Sequence, residues 1–501
     1  MKKLIVTIII TFFSISIFAQ NQNDALRYSL VNYGGTARFM GLSGAYGAIG
    51  ADFSTLSQNP AGIGLYRKSE FTITPMLASS NINSSYLGQS NADFRNMLYL
   101  GNVGFVMAIN TNSGNENQLK QVQFGFGVNR MATFGNRMEI GGYNNESSLL
   151  TPYMLEINEE GLRPAELDPF GANLAYEVYL INYDSITGKS FIDMPYGGVQ
   201  QLKTITTKGS TSETVLSAGG NFGDKLFLGV TFAFPEIKYE EESVYTEEDI
   251  NNLNDNFDSF KRSEYLKTTG SGFNFKFGFI YKPFDFMRIG GAFHTPTSYY
   301  KMTDKWNASM TALYDLGDSY SMDSPEGTYD YRLTTPMRAI GSIAFVIGHY
   351  GLISADYEFV DYSTARLRAD DYNFSEENTS LNKNLIQAGN LRVGAEWKAG
   401  IYAFRGGLNI YGSPFKGENN FLINKYFFRK VADGSFFELK NTLGARTGYS
   451  FGFGVHDKGY FLDFSFNHNE MKDNYYLYNI ASASENKYNN NSYSITLGFR
   501  L

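Results

Sequence analysis

Cysteine is absent from this chain of 501 residues, and histidine and tryptophan are scarce, with four and two copies. The absence of cysteine excludes disulfides, thiolate metal sites, a thiol nucleophile and a lipid-modified N-terminal cysteine. The formal net charge of -8 argues against nucleic acid as a partner. No Pro/Ser-rich linker divides the chain, and no repeat of about 20 to 50 residues is visible. One large domain is therefore preferred over two or three small ones.

A long apolar run occurs only at the N-terminus. Two lysines near the start precede the apolar stretch 4–18, and Ala19 stands before Gln20 at a small-residue cleavage position. The run is shorter than the roughly 20 residues that a membrane-spanning helix needs, and polar residues follow at once. We therefore expect a signal peptide over residues 1–19, with a membrane anchor as the alternative. If the rest of the chain spans a membrane, a closed β-barrel is the form that satisfies every backbone group.

Aromatic residues are abundant, with 36 tyrosines and 42 phenylalanines, and many of them fall at alternate positions. In segment 273–281 five aromatics alternate with polar or small residues, and segments 353–359 and 462–467 repeat the pattern. Period-two alternation sends each set to one face of a strand. Carboxylates opposite the aromatics, as at Asp356 and Glu358, fit a polar lumen better than a dry core. The pattern predicts an all-β transmembrane barrel.

Short and long connections alternate along the chain from residue 222 onwards. Tight turns such as 282–285 and 456–459 are separated by long polar excursions such as 240–262 and 412–441. Antiparallel neighbours place successive connections at opposite ends, so the tight turns belong to the periplasmic end of an outer-membrane barrel. Keeping that parity requires 286–316 to be one long, bulged strand. The predicted strands then number fourteen: 70–79, 98–110, 119–134, 211–222, 225–240, 264–281, 286–316, 328–346, 350–366, 384–398, 401–411, 443–456, 459–473 and 490–501.

The segment 20–69 lacks the periodicity of a strand. It carries glycines at a spacing of three over 41–50, and Asn59-Pro60-Ala61 follows. These glycines fit neither the dinucleotide fingerprint nor a phosphate loop, but they suit a compact segment in a narrow space. The chain here resembles the FadL/OmpP1/TodX family of outer-membrane transporters for hydrophobic compounds. The resemblance covers the whole mature chain and rests on these segments: Gly34-Gly35-Thr36-Ala37, Met40-Gly41, Gly44-Ala45-Tyr46-Gly47-Ala48, Ser57-Gln58-Asn59-Pro60-Ala61-Gly62-Ile63, 221–231, 281–297 and 356–363.

This resemblance implies a 14-stranded barrel, the number that the strand pattern also predicts. It implies that residues 20–69 form a plug in the lumen, which would contain Asn59, Pro60 and Ala61, and that residues 70–501 form the barrel with long extracellular loops. It further implies that a hydrophobic ligand is captured at those loops, passes to an internal pocket and leaves sideways through the barrel wall.

A lateral exit needs an interrupted strand, and strand 119–134 is the candidate. Gly125, Gly127 and the adjacent Gly135 would allow it to kink inwards. Ordinary bulge or lumen-filling glycines are the alternative interpretation.

The longest excursion, 136–208, contains a helical stretch with several apolar residues. Leu155, Phe170, Leu174 and Leu180 are the candidates for a ligand-capturing surface outside the cell. The alternative is a small core that holds the loop over the barrel.

Catalysis, metal binding and haem binding have little support in the sequence. No G-x-S-x-G elbow occurs, and the histidines at 294, 349, 456 and 468 are scattered. We expect structural roles for them rather than axial haem ligation, although some relatives are described as haemin receptors. The acidic residues of 240–249 are interpreted as a solvated loop rather than a cation site. We predict no enzyme activity, no metal and no cofactor.

The predicted function is uptake of hydrophobic small molecules, such as long-chain fatty acids or aromatic hydrocarbons, by facilitated diffusion across a Gram-negative outer membrane. The expected partners are the hydrophobic ligand, outer-membrane lipid and lipopolysaccharide, and the barrel-assembly machinery. We expect an integral, multi-pass monomer. A docking barrel of a secretion system is the alternative function, and a general porin is a further one.

Overall fold

The computed structural model describes residues 22–111, 118–192, 198–254, 256–415, 429–430, 436–437 and 442–501. The predicted signal peptide, 1–19, and most of the predicted connection 412–441 lie outside these residues. Within the described ranges, no helix is long and apolar enough to cross a membrane. The α-helices are α1 (Gln22–Ser29), α2 (Ala37–Met40), α3 (Thr55–Gln58), α4 (Leu150–Glu160), α5 (Ala172–Glu177) and α6 (Ser375–Asn384), and 3-10 helices cover Pro60–Leu65, Pro164–Glu166 and Tyr362–Thr364.

The remaining regular structure is β-sheet. The strands are β1 (Glu70–Tyr86), β2 (Gln89–Asn110), β3 (Leu119–Thr133), β4 (Asn136–Asn144), β5 (Asn182–Asp184), β6 (Lys189–Phe191), β7 (Val199–Phe222), β8 (Leu226–Glu248), β9 (Ser259–Phe284), β10 (Met287–His294), β11 (Ser298–Leu313), β12 (Ser319–Asp323), β13 (Gly327–Thr334), β14 (Arg338–Ile347), β15 (Gly351–Asp361), β16 (Arg366–Arg368), β17 (Gln387–Ala399), β18 (Tyr402–Tyr411), β19 (Arg429–Lys430), β20 (Phe436–Phe437), β21 (Thr442–Leu443), β22 (Arg446–His456), β23 (Tyr460–Tyr476) and β24 (Ala483–Arg500).

The sheet closes into an antiparallel barrel of fourteen barrel strands. Each barrel strand pairs with the next along the chain, and β1 pairs with β24 from Glu70↔Arg500 to Ser85↔Glu485, which closes the ring. Five barrel strands consist of two consecutive pieces in the described part of the chain: the third is β3 with β4, the seventh is β10 with β11, the eighth is β13 with β14, the ninth is β15 with β16, and the twelfth is β21 with β22. The predicted all-β, fourteen-stranded barrel is confirmed, including the treatment of 286–316 as one barrel strand.

The two faces of the strands differ as the alternation predicts. On β9, Phe277, Phe279 and Tyr281 are exposed on the outer surface, whereas Asn274 and Lys276 are buried in the lumen. The outward aromatics supply the apolar surface that lipid requires. The inward polar groups need partners inside the barrel, because an unpaired polar group away from water is costly.

The connections at the end opposite the tight turns are shorter than predicted, because the strands extend far beyond the apolar band. β1 and β2 are joined by Leu87 and Gly88 alone, both with positive φ, where the pattern predicts a connection over 80–97. The acidic segment 240–262 is also mostly strand, since β8 and β9 enter it from both sides. In these extended parts of the strands, backbone hydrogen bonds satisfy the N–H and C=O groups, so the strands need no apolar face there. Hydrophobic alternation therefore does not reveal them.

Two neighbouring barrel strands are interrupted at prolines without opening the wall. Pro296 separates β10 from β11, and Pro336 separates β13 from β14. Proline cannot donate to the ladder, and threonines replace the missing bonds. Thr335 N donates to Thr297 O at 3.0 Å, and Thr297 N donates to Thr335 Oγ1 at 3.2 Å. The halves of both strands keep partners on each side, so the wall stays continuous here.

Outside the apolar band, the extended strands and the loop after β4 pack around one apolar cluster, here called the outer core. It combines residues of β1, β4, β8, β9 and β11 with α4, α5 and the β23–β24 connection. Its buried members include Ile82, Ile140, Leu150, Leu174, Leu180, Tyr245, Phe260, Met310 and Tyr478.

Candidate functional site

Residues 22–66 lie inside the barrel and contact opposite sides of its wall. On one side, Ala37 N donates to Thr496 Oγ1 of β24 at 2.6 Å. Arg38 forms a two-point ion pair with Glu396 of β17, at 2.9 and 3.0 Å. On the other side, the 3-10 helix Pro60–Leu65 packs on β7, β8 and β9. The N-terminal segment therefore crosses the lumen.

Asn59-Pro60-Ala61 is in close contact with the wall. Asn59 Oδ1 accepts from Ala61 N at 3.1 Å and so caps the 3-10 helix. Asn59 Nδ2 donates to Gly47 O at 2.6 Å and to Phe279 O of β9 at 3.2 Å. Asn59 thus links its own 3-10 helix to the preceding turn of the segment and to the barrel wall.

Glycines of the wall make room for this motif. Gly229 of β8 and Gly278 of β9 are direct partners across the two strands. A Cβ at Gly229 would overlap the Pro60 carbonyl and lie 2.7 Å from Ala61 N, and one at Gly278 would lie 3.0 Å from Asn59 Cγ. Both approaches are closer than ordinary van der Waals contact, so the two wall positions that contact this motif require glycine.

Gly125 and Gly127 serve the same purpose on β3. A Cβ at Gly125 would lie 2.7 Å from Leu56 Cδ1, and one at Gly127 would lie 2.6 Å from Phe53 Cζ. Both positions lie in the part of β3 that pairs fully with β2 and β7. Both glycines therefore face the N-terminal segment inside the barrel, and their part in a kink stays a prediction.

Several charges of the lumen are paired with each other. Glu358 of β15 accepts from Arg338 at 2.6 Å and from Arg392 at 2.8 Å. Glu396, besides Arg38, accepts from Arg405 at 2.7 Å. These ion pairs are almost fully buried, and mutual hydrogen bonding offsets their desolvation.

At the tight-turn end, the segment leaves the lumen beside the turn between β7 and β8. Asp224 in that turn accepts from Lys120 at 2.8 Å and from Arg67 at 2.6 Å. The hydrogen bond from Lys120, with further help from Asn221 and Arg67, lowers the pKa of Asp224 to about 2. Arg67 thereby ties the last part of the segment to the wall.

The wall is broken between the second and third barrel strands. β2 and β3 pair from Asn110↔Gln121 to Asn102↔Asn129. Beyond that level, β2 pairs with β1, and β4 pairs with β7. Across the described residues, no ladder joins β2 to β4, although both run alongside the break.

Gly135 lies at this break, between β3 and β4. From this point the third barrel strand lies against the inner face of the β1–β2 hairpin, where Ser80 donates to Asn136 at 2.7 Å. A Cβ at Gly135 would lie 3.1 Å from Met97 Cγ, so glycine permits the close approach. Of the three glycines predicted for a kink, the structure places Gly135 at the interruption. Its role in an exit stays a prediction.

A cavity of about 170 Å³ lies in the lumen beside the break. Met97 and Tyr99 of β2, Arg130 and Gly135 of the third barrel strand, and Tyr33 of the N-terminal segment line it. Most of the other lining side chains are amides and hydroxyls. The sequence did not point to this cavity, because its walls come from strands that are distant along the chain.

The four predicted loop residues fall into two groups. Leu174 and Leu180 are buried in the outer core. Leu155 and Phe170 are partly exposed. The Phe170 ring lies 5.7 Å from the Trp306 ring on β11. Capture of a ligand by these residues stays a prediction.

The histidines do not converge. His294 is buried and hydrogen-bonds the Gln58 carbonyl at 2.7 Å. His456 contacts Asp463 at 2.9 Å, and His468 contacts Asn491 at 2.9 Å. In the part of the chain that the structure describes, no group of three His, Cys, Asp or Glu residues could hold a metal ion.

Fold and site together define a closed fourteen-stranded barrel of the outer-membrane type, with an N-terminal segment in the lumen and a broken wall beside a cavity. Among solved structures, the chain is similar to the toluene transporter TodX of P. putida, with 11% identity, a TM-score of 0.51, and 93% of this chain and 99% of that chain covered. It is also similar to a Pseudomonas aeruginosa FadL homologue, with 12% identity, a TM-score of 0.54, and 94% and 99% covered. No family model and no curated protein matches the sequence. The predicted FadL/OmpP1/TodX resemblance is confirmed at the level of the fold.

Proposed function

We propose that this chain is a non-enzymatic uptake protein of a Gram-negative outer membrane that carries hydrophobic small molecules by facilitated diffusion. In this proposal, residues 1–19 direct export, 20–69 form a plug and 70–501 form the barrel. A similar structure is named a toluene transporter and another a FadL homologue, which supports a fatty-acid or hydrocarbon cargo.

The observation that carries the proposal is the broken ladder between β2 and β4, which lies against the cavity. A solute in the cavity is separated from lipid there by side chains and not by a hydrogen-bonded sheet. Leu98 and Phe94 on the outer face of β2 are 79% and 63% exposed, so the outer rim of the break is apolar. An apolar solute that leaves sideways enters lipid without crossing water, which is the favourable direction of transfer.

The N-terminal segment supports the same route. With Asn59-Pro60-Ala61 seated on the glycines of β8 and β9, and α2 tied to the opposite wall, a straight aqueous path is obstructed. A solute is then directed to the side.

Entry is proposed at the partly exposed rim of the outer core, where Phe170 contacts Trp306. Leu155 on α4 is also partly exposed and contributes further apolar surface. A partly exposed aromatic surface gives an apolar solute its first favourable contact.

An engineered disulfide across the break tests the lateral route. Met97→Cys with Gly135→Cys introduces the chain's sole pair of thiols, since the sequence has no cysteine. A Cβ at residue 135 lies 3.1 Å from Met97 Cγ, which is compatible with the Cβ separation of roughly 3.5–4.5 Å that a disulfide needs. In proteoliposomes, oxidation should slow the uptake of labelled toluene or palmitate to the rate of empty liposomes, and reduction should restore it.

Phe105→Cys with Phe126→Cys is the matched control. These residues are direct partners in the closed part of the same two strands, so their disulfide should leave uptake unchanged. Unchanged uptake with a verified 97–135 disulfide would rule out the lateral route. If the reduced protein moves neither compound faster than empty liposomes, hydrophobic uptake is the wrong function.

A further inference from the structure

The lining of the lumen cavity mixes polar and apolar side chains and is almost uncharged. It includes seven asparagines, four serines and one threonine, and it contains no aspartate or glutamate. Elsewhere in the lumen, carboxylates and guanidinium groups neutralise each other, as at Glu358 and Arg392. The cavity therefore differs in chemistry from the rest of the barrel interior, and it also differs from a pocket shaped for an apolar solute alone.

Several of these amides come together through strand register. Asn469 of β23 and Asn490 of β24 are direct partners, and Asn467 pairs with Ser492 beside them. Asn409 approaches from β18. Each amide offers a donor and an acceptor, so the cavity presents both kinds of group from several directions.

Some of this hydrogen-bonding capacity is unused. Asn409 Oδ1, Asn490 Oδ1 and Tyr33 Oη are buried and have no hydrogen-bond partner. Unpaired amide oxygens require a donor. A hydroxyl group can donate and accept, whereas a carboxylate accepts only. The unpaired oxygens therefore favour a hydroxylated group over an acid.

One cation lies among the lining residues, and it is engaged with the wall. Arg130 Nε donates to Leu100 O at 3.3 Å, and the guanidinium lies 4.9 Å from the centre of the Tyr99 ring. These contacts place Arg130 at the edge of the broken ladder. An acidic head group would depend on this one residue.

We infer that the cavity binds the uncharged, hydroxyl-rich head of an amphiphile, such as a sugar or polyol, while its apolar tail points into the break between β2 and β4. The volume of about 170 Å³ equals roughly six waters at about 30 Å³ each, which suits a small polar head and not a long acyl chain. This inference rests on the proposed hydrophobic uptake and adds the class of head group.

Binding of three probes with the same tail tests the inference: radiolabelled octyl glucoside, octanoate and octane. Saturable binding is measured on the full barrel in lipid nanodiscs, with empty nanodiscs subtracted. Octyl glucoside should bind at least tenfold more tightly than octanoate. Asn409→Leu should weaken glucoside binding roughly tenfold, as expected for one buried hydrogen bond lost, and should leave octane binding unchanged. Asn307→Leu, at an exposed position on β11, is the matched control and should have no effect.

Arg130→Gln distinguishes the two head groups without altering an asparagine, so it serves even if Asn409→Leu fails to fold. Retained glucoside binding in this variant supports the inference. Tightest binding of octanoate, abolished by Arg130→Gln, would overturn it in favour of an acid site. If glucoside does not bind saturably while toluene uptake persists in proteoliposomes, the head-group inference fails and the proposed function stands. If toluene and palmitate uptake are both absent, the proposed function fails as well.

Discussion

Replacing Gly229 by alanine tests whether the Asn59-Pro60-Ala61 motif holds the N-terminal segment in the lumen. The added Cβ would overlap the Pro60 carbonyl and lie 2.7 Å from Ala61 N, whereas ordinary contact begins at 3.4 Å. Because the obstacle is backbone, the motif must move by at least about 0.7 Å relative to β8, the difference between those two distances. Such overpacking costs about 1–3 kcal/mol.

That free energy acts on the equilibrium between seated and displaced segment. A cost of about 1–3 kcal/mol corresponds to a roughly 5- to 150-fold increase in the displaced population. The hydrogen bonds from Asn59 to Gly47 and Phe279 would weaken together. In planar bilayers, Gly229→Ala should therefore open to ions far more often than the wild type.

Gly341→Ala is the matched control, because a Cβ at Gly341 meets nothing within 4 Å. It should behave as the wild type. If Gly229→Ala and Gly341→Ala both conduct no more than the wild type, with barrel content verified by circular dichroism, the motif is not what keeps the lumen closed.

Three further substitutions have definite expected outcomes. Glu396→Gln should destabilise the barrel by about 3–5 kcal/mol in guanidinium unfolding, because it leaves Arg38 without its carboxylate and leaves Arg405 with Asp463 alone. The part-exposed Glu470→Gln should cost about 0–1 kcal/mol, and equal costs would contradict the network. Asp224→Asn should lower stability slightly above about pH 4, by no more than about 1 kcal/mol at this part-exposed site. Since its pKa is lowered to about 2 from an unfolded value of about 3.9, the difference from the wild type should shrink as the pH falls below about 4 and vanish only below about pH 2; a difference at about pH 1 that is as large as the one above pH 4 would refute the assignment. Leu174→Ala should cost about 2–5 kcal/mol of local stability in the outer core, which would be seen as faster tryptic cleavage in the loop after β4. Ile186 is 93% exposed, so Ile186→Ala should be cleaved at the wild-type rate. Equal cleavage rates in the two variants would contradict a structural role for Leu174.

The strand number and the facing of residues could be predicted because lipid imposes a simple rule on every strand. Phe277 and Phe279 had to face outwards once Lys276 and Asn274 faced the lumen, and the same rule applies around the barrel. Residues 286–316 could be predicted as one barrel strand because Pro296 interrupts the ladder without changing the neighbouring strand, β9.

The site was less predictable, because its contacts join residues far apart in sequence. Arg38 of the N-terminal segment and Glu396 of β17 meet inside the lumen, and neither residue carries a local signal. The amides at Asn409, Asn467 and Asn490 converge through register and shear, which alternation does not encode. Gly135 could be singled out by residue type, whereas its neighbours Gly125 and Gly127 show that residue type alone does not separate a kink from a packing position.

The length of the extended strands determines how far from the membrane a solute first meets the protein. β9 has 26 residues, and at about 3.3 Å per residue with a tilt of about 40° it rises roughly 65 Å along the barrel axis. An apolar band of about 25 Å leaves roughly 40 Å of hairpin standing outside the bilayer. If the barrel stands in an outer membrane, as proposed, this height raises its mouth through the sugar layer of the cell surface. An apolar molecule would then reach the mouth from the medium without first crossing that layer unaided.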